Sequence, residues 1–478
     1  MKWLLAQSAA CEADSLINKS AKVLEIEDPS FTTFHIVALI IFAFAVLHTF
    51  MTHKIREAAF SVEQGHRNKL KEAGKPLEIR GREKVSFIAE SLYFLGEVEV
   101  VFALWAIPLF IAIASFFDWS SAIEYINTRD YTEALYIVVI MIVTSTRPIV
   151  HLAENIVHFF SKLFGDSISS WWFVILSIGP ITGSFITEPA AMVICCVLLS
   201  RQFYDYKPST RLAYATLGLL FVNVSVGGVL TNFSAPPVLV VARCWDLSSW
   251  YMFKTFGVVA IIGVLISNFL YWYFFRSEFK KLNLEKQQKP IEREERDPIP
   301  FWITFSHVLI LGWIIFNAHY TAIVIGSLLL FLAFQRATHH YQDEVTLKRP
   351  FLVGAFIAGL IIHGGVQGWW VIALVQKLEA FSLMFVGVVL SAFVENAAVT
   401  YLASLTPGLS ESFKYAIISA AVTGGGLTVI AHAANPAGQS ILEKHFDQGV
   451  APLFLFLAAL LPTLIFFVLY YIPFLIWF

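Results

Sequence analysis

The chain has 478 residues, of which 57% are hydrophobic and only 14% are charged, and its formal net charge is −2. A soluble globular domain is roughly 45–50% apolar and about 25% charged, so this composition excludes one. The apolar runs reach about 20 residues, the length of a membrane-spanning helix. These features predict an all-α polytopic membrane protein. Lys and Arg are concentrated in a few loops, and nothing in the charge balance indicates a nucleic-acid partner.

Residues 1–30 form a polar N-terminal leader before the first apolar run. The apolar part of this leader is too short for a signal peptide, and its positive region is one Lys. An alternative interpretation is lipid attachment at Cys11. The four cysteines show no metal-ligand spacing, and no cofactor is expected.

Ten apolar runs of spanning length follow in chain order. They lie near 31–53, 85–117, 133–160, 212–243, 250–275, 301–317, 319–335, 350–376, 413–434 and 450–477. Two further runs, 170–200 and 381–405, are interrupted by Gly, Pro, Ser, Thr and Glu. The sequence therefore predicts about ten spanning helices and two interrupted segments.

Loop charge predicts the orientation of the chain. Residues 54–84 carry nine Lys and Arg and residues 276–296 carry seven, so both loops are expected on the cytoplasmic side and the N-terminus outside. The basic residues at 201–211 also belong inside, which requires 170–200 to enter and leave on the same side. The same argument makes 381–405 a re-entrant hairpin that opens from the outside.

The two halves of the chain resemble each other. SFITEPAAM at 184–192 aligns with SAFVENAAV at 391–399, and GGVLT at 227–231 aligns with GGGLT at 424–428. The loop charges give the halves opposite orientations, which predicts inverted repeats with interrupted segments at matching places. This pattern is typical of secondary transporters, whose substrate site lies where the interrupted segments meet.

Four segments follow from this pattern. They are the leader 1–30, a first repeat at 31–275 with a hairpin at about 170–200 and a broken helix at about 212–243, a cytoplasmic linker at 276–300, and a second repeat at 301–478 with a hairpin at about 381–405 and a broken helix at about 413–440.

At these motifs the sequence resembles the ion-transporter superfamily, which includes sodium/proton antiporters, arsenite pumps and dicarboxylate transporters. The resemblance is greatest to a family of sodium/proton antiporters and covers about 85–475. Relatives often carry an Asp-Asn pair near the hairpin tip, where this chain has Glu395–Asn396 and Glu188–Pro189. The Ser-Asn-Thr triplet of the dicarboxylate branch is absent, which argues against a carboxylate substrate.

The resemblance implies that each polar hairpin tip faces a discontinuous helix and that ions bind between them. The residues it implies as cation- and proton-binding are Glu188, Glu395, Asn396, Thr231, Asn232, Thr428 and Asn435. Carboxylate, amide, hydroxyl and carbonyl oxygens are the hard ligands that sodium prefers, so sodium is the hypothetical metal ion at these residues.

Burial in an apolar setting raises the pKa of a carboxyl group, whereas a bound cation lowers it. One carboxylate can therefore hold either a proton or a sodium ion, and Glu188 and Glu395 are the predicted exchangers. The alternative for either residue is a capping role at the N-terminus of a half-helix, where an acidic side chain is favoured.

A second polar cluster lies in TSTRPIVHLAEN, where Arg147, His151 and Glu154 share one predicted helical face. It is interpreted either as a buried charge relay or as a proton path or gate. His363 occupies the matching place in the second half, and His432 stands beside the second broken segment. Both histidines are candidates for the same path, or are interior side chains.

The leading function is exchange of sodium or another monovalent cation for protons by alternating access. The alternative is a sodium-coupled carrier of an oxyanion or organic anion, for which Arg147 is the candidate anion-binding residue. No nucleophile–base or metal-hydrolase motif indicates an enzyme. The expected partners are protons, monovalent cations and the lipid bilayer of a bacterial inner membrane, and analogy with antiporters of this type suggests a homodimer.

Overall fold

The structure is a computed structural model of the full chain. It describes residues 29–478 apart from residues 74–77, 80–81, 84–85, 289–297, 319, 346 and 447–448. Residues 1–28 of the predicted leader lie outside the described residues, and Cys11 is among them.

The described part of the chain is almost entirely α-helical, as the sequence predicts. Two strands of two residues each, Glu78–Ile79 and Arg82–Glu83, pair antiparallel. The α-helices are Pro29–Glu72, Phe87–Leu95, Val101–Phe116, Trp119–Asn127, Thr132–Thr144, Arg147–Leu163, Ile168–Ile186, Glu188–Gln202, Thr210–Gly227, Pro236–Ala242, Ser249–Met252, Val258–Phe274, Arg276–Gln288, Phe301–Phe316, Thr321–Ala337, Lys348–Gly364, Gly368–Val375, Ala380–Phe393, Asn396–Ser404, Glu411–Gly424, Asn435–Leu442 and Pro452–Trp477.

Short polar side chains define many of the helix starts. Asp118 accepts a hydrogen bond from the Ser121 N–H at 2.7 Å, which satisfies one of the N–H groups that the first turn leaves free. Serine side chains cap further helices in the same way, at positions 86, 167, 209, 248 and 410.

Six described helical segments are long and apolar enough to cross a membrane. They are Thr33–Thr52, Val98–Phe116, Ile168–Ile186, Thr210–Leu230, Ser249–Phe274 and Pro452–Trp477. Two bent helix pairs raise the number to at most 8, and three shorter apolar helices add to the apolar content. The polytopic helical class is confirmed, while the number of ten spans stays a prediction.

Two loops predicted from charge are partly helical. The first helix continues from its apolar part to Glu72, so most of the basic segment 54–84 extends the span as helix. The predicted linker 276–300 begins with the helix Arg276–Gln288. Both segments are rich in Glu, Lys and Gln, which are strong helix formers.

Two predicted spans are bent. The run at 133–160 divides into Thr132–Thr144 and Arg147–Leu163, which meet at 68°. The run at 350–376 divides into Lys348–Gly364 and Gly368–Val375, which meet at 84°. Pro148 lies in the first turn of its helix, where a missing N–H costs nothing, so it favours a helix start close before it.

The chain forms two compact units. One comprises Asp130–Phe351 and Gly368–Phe478. The other comprises the described residues up to Arg129 together with Leu352–Gln367. Within this second unit a Cβ added to Gly359 would stand 2.3 Å from the Ala103 backbone nitrogen, so the glycine allows two helices to approach closely.

Hairpin 1 consists of the helices Ile168–Ile186 and Glu188–Gln202. A Cβ added to Gly183 would lie 3.1 Å from Ala191, and one added to Gly179 would lie 2.3 Å from the Cys195 sulfur. Because contacting pairs grow further apart in sequence away from the turn, the two helices run antiparallel. Hairpin 2 is the corresponding pair Ala380–Phe393 and Asn396–Ser404.

Each hairpin is followed by a helix that is interrupted near a glycine pair. Broken helix 1 consists of Thr210–Gly227, a short 3-10 turn and Pro236–Ala242. Broken helix 2 consists of Glu411–Gly424 and Asn435–Leu442. In both broken helices the first part ends within the repeated Gly-Gly motif, at Gly227 and at Gly424.

Candidate functional site

The tip of hairpin 1 presents Glu188 as the first residue of its second helix. The side chain is completely buried, and its Oε1 has no hydrogen-bond partner among the described residues. A Cβ added to Gly228 would stand 2.1 Å from this oxygen. Only a glycine in broken helix 1 therefore leaves room for the Glu188 carboxyl group.

Thr187 connects the two helices of hairpin 1 with a backbone φ of 99° and ψ of 146°. This region of backbone space suits glycine, and a β-branched residue there is strained by about 1–3 kcal/mol. The residue is also buried, at 2% exposure, so the surrounding packing holds it in this conformation.

Ser184 joins hairpin 1 to broken helix 1. Its hydroxyl donates to the Gly227 carbonyl at 2.7 Å and accepts from the Leu230 N–H at 2.9 Å. The Thr231 hydroxyl donates to the Ser184 carbonyl at 2.6 Å, so this predicted ligand lies at the tip. These bonds satisfy backbone groups that the helix break would otherwise leave unpaired.

Asn232, which the resemblance implied as a ligand, faces another part of the molecule. Its side-chain N–H donates to the Leu247 carbonyl at 2.6 Å, and its oxygen accepts from the Ser249 hydroxyl at 2.7 Å. Both polar atoms are occupied in closing the following loop, so Asn232 contributes no free oxygen to the tips in this arrangement.

The tip of hairpin 2 presents Glu395 immediately before its second helix. Its Oε2 accepts from the N–H groups of Ala397 at 2.8 Å and Ala398 at 3.2 Å. Glu395 therefore caps the helix, as one of the two interpretations of its sequence context proposed. The cap does not exclude ion binding, since a carboxylate has several acceptor positions.

Asn396 follows as the first residue of that helix. Its backbone N–H donates to the Ala431 carbonyl at 3.0 Å, which ties the tip to the loop of broken helix 2. Its side-chain oxygen and nitrogen are buried and have no hydrogen-bond partner among the described residues. The amide nitrogen lies close to Gly425, at 2.6 Å from an added Cβ.

Broken helix 2 supplies Thr428 and Asn435. The Thr428 hydroxyl donates to the Ala392 carbonyl at 2.5 Å. The Asn435 amide donates at 2.8 Å to the carbonyls of both Gly425 and Thr428, while its Oδ1 is buried without a described partner. Asn435 thus stabilises the unwound segment and leaves one open oxygen.

His432 connects the two halves at the tips. Its Nε2 lies 2.5 Å from Glu188 Oε2, and both side chains are fully buried. The Ala434 N–H donates to Nδ1 at 3.3 Å, which assigns the ring proton to Nε2 as the donor to Glu188. The ring also interacts electrostatically with Glu395, which in turn interacts with Glu188.

The structure therefore brings Glu188, Glu395 and His432 together in one buried place, although they come from distant parts of the sequence. No group of three or more His, Cys, Asp or Glu side chains suited to a metal ion occurs among the described residues. A cation here would need amide, hydroxyl and carbonyl oxygens in addition to the carboxylates, which are ligands that sodium accepts.

The Arg147 cluster has a different environment from the predicted buried relay. Arg147 donates to the Tyr341 carbonyl at 3.4 Å. His151 and Glu154 are 3.9 Å apart, with side chains 48% and 33% exposed, so this pair is not buried in this structure. No described hydrogen bond or salt bridge connects the pair to the tips.

His363 belongs to the second compact unit. Its ring lies between Phe42 and Phe102, with ring centroids 6.0 Å and 5.8 Å away. The side chain is fully buried, and neither ring nitrogen has a side-chain hydrogen-bond partner among the described residues.

Sequence reasoning missed Asn223 and Asn268, two buried amides beside hairpin 1. Asn223 donates to the Leu176 carbonyl at 3.0 Å and to Asn268 Oδ1 at 2.9 Å, and Asn268 donates to the Ser177 hydroxyl at 2.8 Å. The signal that could have found them is their polarity within otherwise apolar helices.

Apolar helices, two interrupted helices and two hairpin tips with buried carboxylates define an integral membrane protein of the secondary-transporter class. Residues 33–473 match the family described as "Putative Na+/H+ antiporter", and the chain belongs to this family. Family membership makes it a cation/proton transporter. None of the curated proteins matches the chain.

Among solved structures, the chain is similar to the YdaH transporter of Alcanivorax borkumensis, whose crystal structure is described as revealing an unusual topology. The identity is 11% and the TM-score 0.44, and the match covers 80% of this chain and 97% of the other.

Proposed function

We propose that the chain exchanges sodium, or another monovalent cation, for protons at the paired hairpin tips by alternating access. The observation that carries this proposal is the joint burial of Glu188 and Glu395, from opposite halves, around His432. An isolated ionised carboxylate inside a membrane protein is unfavourable, so each carboxylate needs a proton or a cation as a partner.

Competition between proton and cation is sufficient for exchange. A carboxylate that binds sodium on one side of the membrane and a proton on the other carries one ion in each direction. Three buried oxygens near the tips have no hydrogen-bond partner among the described residues: Glu188 Oε1, Asn396 Oδ1 and Asn435 Oδ1. They supply further hard ligands for the cation.

An anion carrier has less support at these tips. Two carboxylates repel an anion. Among the described residues, His432 is the side chain that can become positively charged and that interacts with both carboxylates. Arg147, the candidate anion-binding residue, is engaged with the Tyr341 carbonyl. We therefore favour the cation/proton exchanger.

We further propose that the protein lies in a bacterial inner membrane with its N-terminus outside, as the loop charges favour. Its expected partners are protons, monovalent cations and lipid. A homodimer stays a prediction by analogy.

Inverted membrane vesicles with a preformed pH gradient test the proposal. Adding sodium should dissipate the gradient in the wild type, and Glu188→Gln or Glu395→Gln should each abolish the response. Glu411→Gln, whose side chain is 58% exposed and pairs with Lys414, is the matched control and should retain the response. Exchange that survives in the Glu188→Gln/Glu395→Gln double variant would exclude this mechanism.

A further inference from the structure

The first helix of hairpin 1 contains Pro180 in its interior. Proline has no backbone N–H, so the carbonyl four residues earlier, that of Leu176, loses its helical hydrogen-bond partner. A buried carbonyl without a partner costs about 1–3 kcal/mol, so another donor is expected to satisfy it.

Asn223 of broken helix 1 is that donor. Its amide donates to the Leu176 carbonyl at 3.0 Å, and both Asn223 and Asn268 are fully buried. Asn268 accepts the second Asn223 N–H at 2.9 Å and donates to Ser177 at 2.8 Å. The two amides thus form a continuous polar bridge from the turn before Pro180 in hairpin 1 to two other helices.

The same face of broken helix 1 contacts the end of the first helix of hairpin 1, residues 176–186, which we call the arm. The contacts occur at successive levels towards the tip of the hairpin. Below Asn223, a Cβ added to Gly227 would meet the Pro180 carbonyl oxygen at 2.6 Å. At the end of the arm, Gly228 abuts the Glu188 carboxyl group. The bridge at Leu176 is therefore the far end of a contact surface that ends at the candidate site.

The second half supplies an internal comparison. The alignment that pairs Glu188 with Glu395 pairs Pro180 with Gly387, and the alignment of the Gly-Gly motifs pairs Asn223 with Ala420. Gly387 and Ala420 indeed face each other, since a Cβ added to Gly387 would lie 2.7 Å from the Ala420 Cβ. The second half has no proline at this position and no amide opposite it. This indicates that Asn223 is present to satisfy the Leu176 carbonyl, which Pro180 leaves without a helical hydrogen-bond partner.

We propose that Asn223 is a positioning residue for the exchange: by binding the Leu176 carbonyl it holds the helix of hairpin 1 in place at Pro180 and so fixes the location of Glu188 against Gly228. The inference rests on the proposed function for its transport readout. Without the amide, the arm is free to change its angle at Pro180, and the Glu188 carboxyl group shifts relative to the other cation ligands.

Asn223→Leu, with similar volume and no donor, tests this role in sodium/proton exchange assays on reconstituted protein. The KM for sodium should rise about tenfold while kcat changes less than threefold. The Pro180→Ala/Asn223→Leu double variant restores an N–H to the helix, and its KM should return to within threefold of the wild type. Asn317→Leu removes a buried amide whose described side-chain hydrogen bond goes to the Trp313 carbonyl of its own helix, and it serves as the control.

Hydrogen–deuterium exchange of the arm at 176–186 gives a readout that does not depend on transport. Asn223→Leu should accelerate exchange there, and the double variant should reverse the effect. Unchanged protection of the arm, or a KM defect that Pro180→Ala does not rescue, would overturn the inference and leave the proposed function standing. A wild type that shows no sodium/proton exchange would instead overturn the proposed function. The hydrogen–deuterium exchange data would still test the bridge formed by Asn223 and Asn268.

If Asn223→Leu does not fold, Asn268→Ala provides the second variant. It leaves the Asn223–Leu176 bond possible but removes the group that orients Asn223. A smaller change in the same two measurements is expected, and no change in either would contradict the bridge.

Discussion

The two hairpin tips share a sequence pattern but differ in their physical state. At hairpin 1, Thr187 has a φ of 99°, and Glu188 makes its described contact with a histidine of the other half. At hairpin 2, the equivalent Val394 has an ordinary extended backbone with a φ of −120°, and Glu395 caps its own helix. The tip of hairpin 1 therefore has a strained backbone and a carboxylate that pairs with a residue of the other half. The tip of hairpin 2 has an unstrained backbone and a carboxylate that bonds to its own helix.

The difference begins with one residue. Pro189 follows Glu188 and has no N–H, so the first tip cannot donate a backbone hydrogen bond where Asn396 donates to the Ala431 carbonyl. That bond holds the loop that carries His432. Hairpin 2 therefore holds this loop in place, and His432 from the loop contacts Glu188 of hairpin 1.

The largest expected effect tests the cross-repeat pair. His432→Gln leaves the buried Glu188 without its imidazole partner, and removing one partner of a buried pair costs about 3–5 kcal/mol in the free energy of unfolding. Unfolding of the purified protein measures this loss. The Glu188→Gln/His432→Gln double variant should lose clearly less than the sum of the single variants, and strict additivity would show that the two side chains do not interact.

The next prediction tests the space around the first tip. Gly228→Ala would place a Cβ 2.1 Å from Glu188 Oε1, and the displaced carboxylate should lower exchange by about 100-fold. Gly326→Ala is the control, since an added Cβ there meets nothing within 4 Å. Exchange by the Gly228 variant within a few-fold of the wild type would mean that Glu188 does not act from this position.

A smaller effect is expected from the amide that distinguishes the second tip. Asn396→Ala removes a buried oxygen available to the cation and should raise the KM for sodium about tenfold, equivalent to the loss of one hydrogen-bonding or ligand contact. Sodium-dependent uptake at several concentrations measures the KM. Pro189→Ala, at the equivalent place in the first half, should leave it nearly unchanged, and equal effects at both positions would contradict the asymmetry.

The smallest effects concern the backbone of the two turns. Thr187→Gly should stabilise the protein by about 1 kcal/mol because it relieves a conformation that suits glycine. Val394→Gly should destabilise it by about 1 kcal/mol because extended backbone gains nothing from glycine and the unfolded chain gains freedom. Thermal unfolding of both variants distinguishes these opposite signs, and the same sign for both would remove the strain argument.

Much of this architecture could be predicted from the sequence. The repeated motifs around Glu188 and Glu395 locate the two turns, and the repeated Gly-Gly pairs locate both helix breaks. Local signals were also available for the break before Pro148, because proline in the first turn favours a helix start there.

The remaining features depend on contacts between distant residues. His432 was predicted to lie beside the second broken segment, but its partner Glu188 is 244 residues away. Likewise, Pro180 predicts a free Leu176 carbonyl without indicating that Asn223 satisfies it. Helix packing decides both pairings, and no periodicity within one segment contains that information.

Sodium-dependent proton release from the purified protein tests most directly whether the two tips form one exchange site. If Glu188 and Glu395 act together, sodium releases protons from the wild type, and either Glu188→Gln or Glu395→Gln abolishes the release. If each single variant instead retains about half of the release, the tips are independent sites, and the account of a shared site is contradicted.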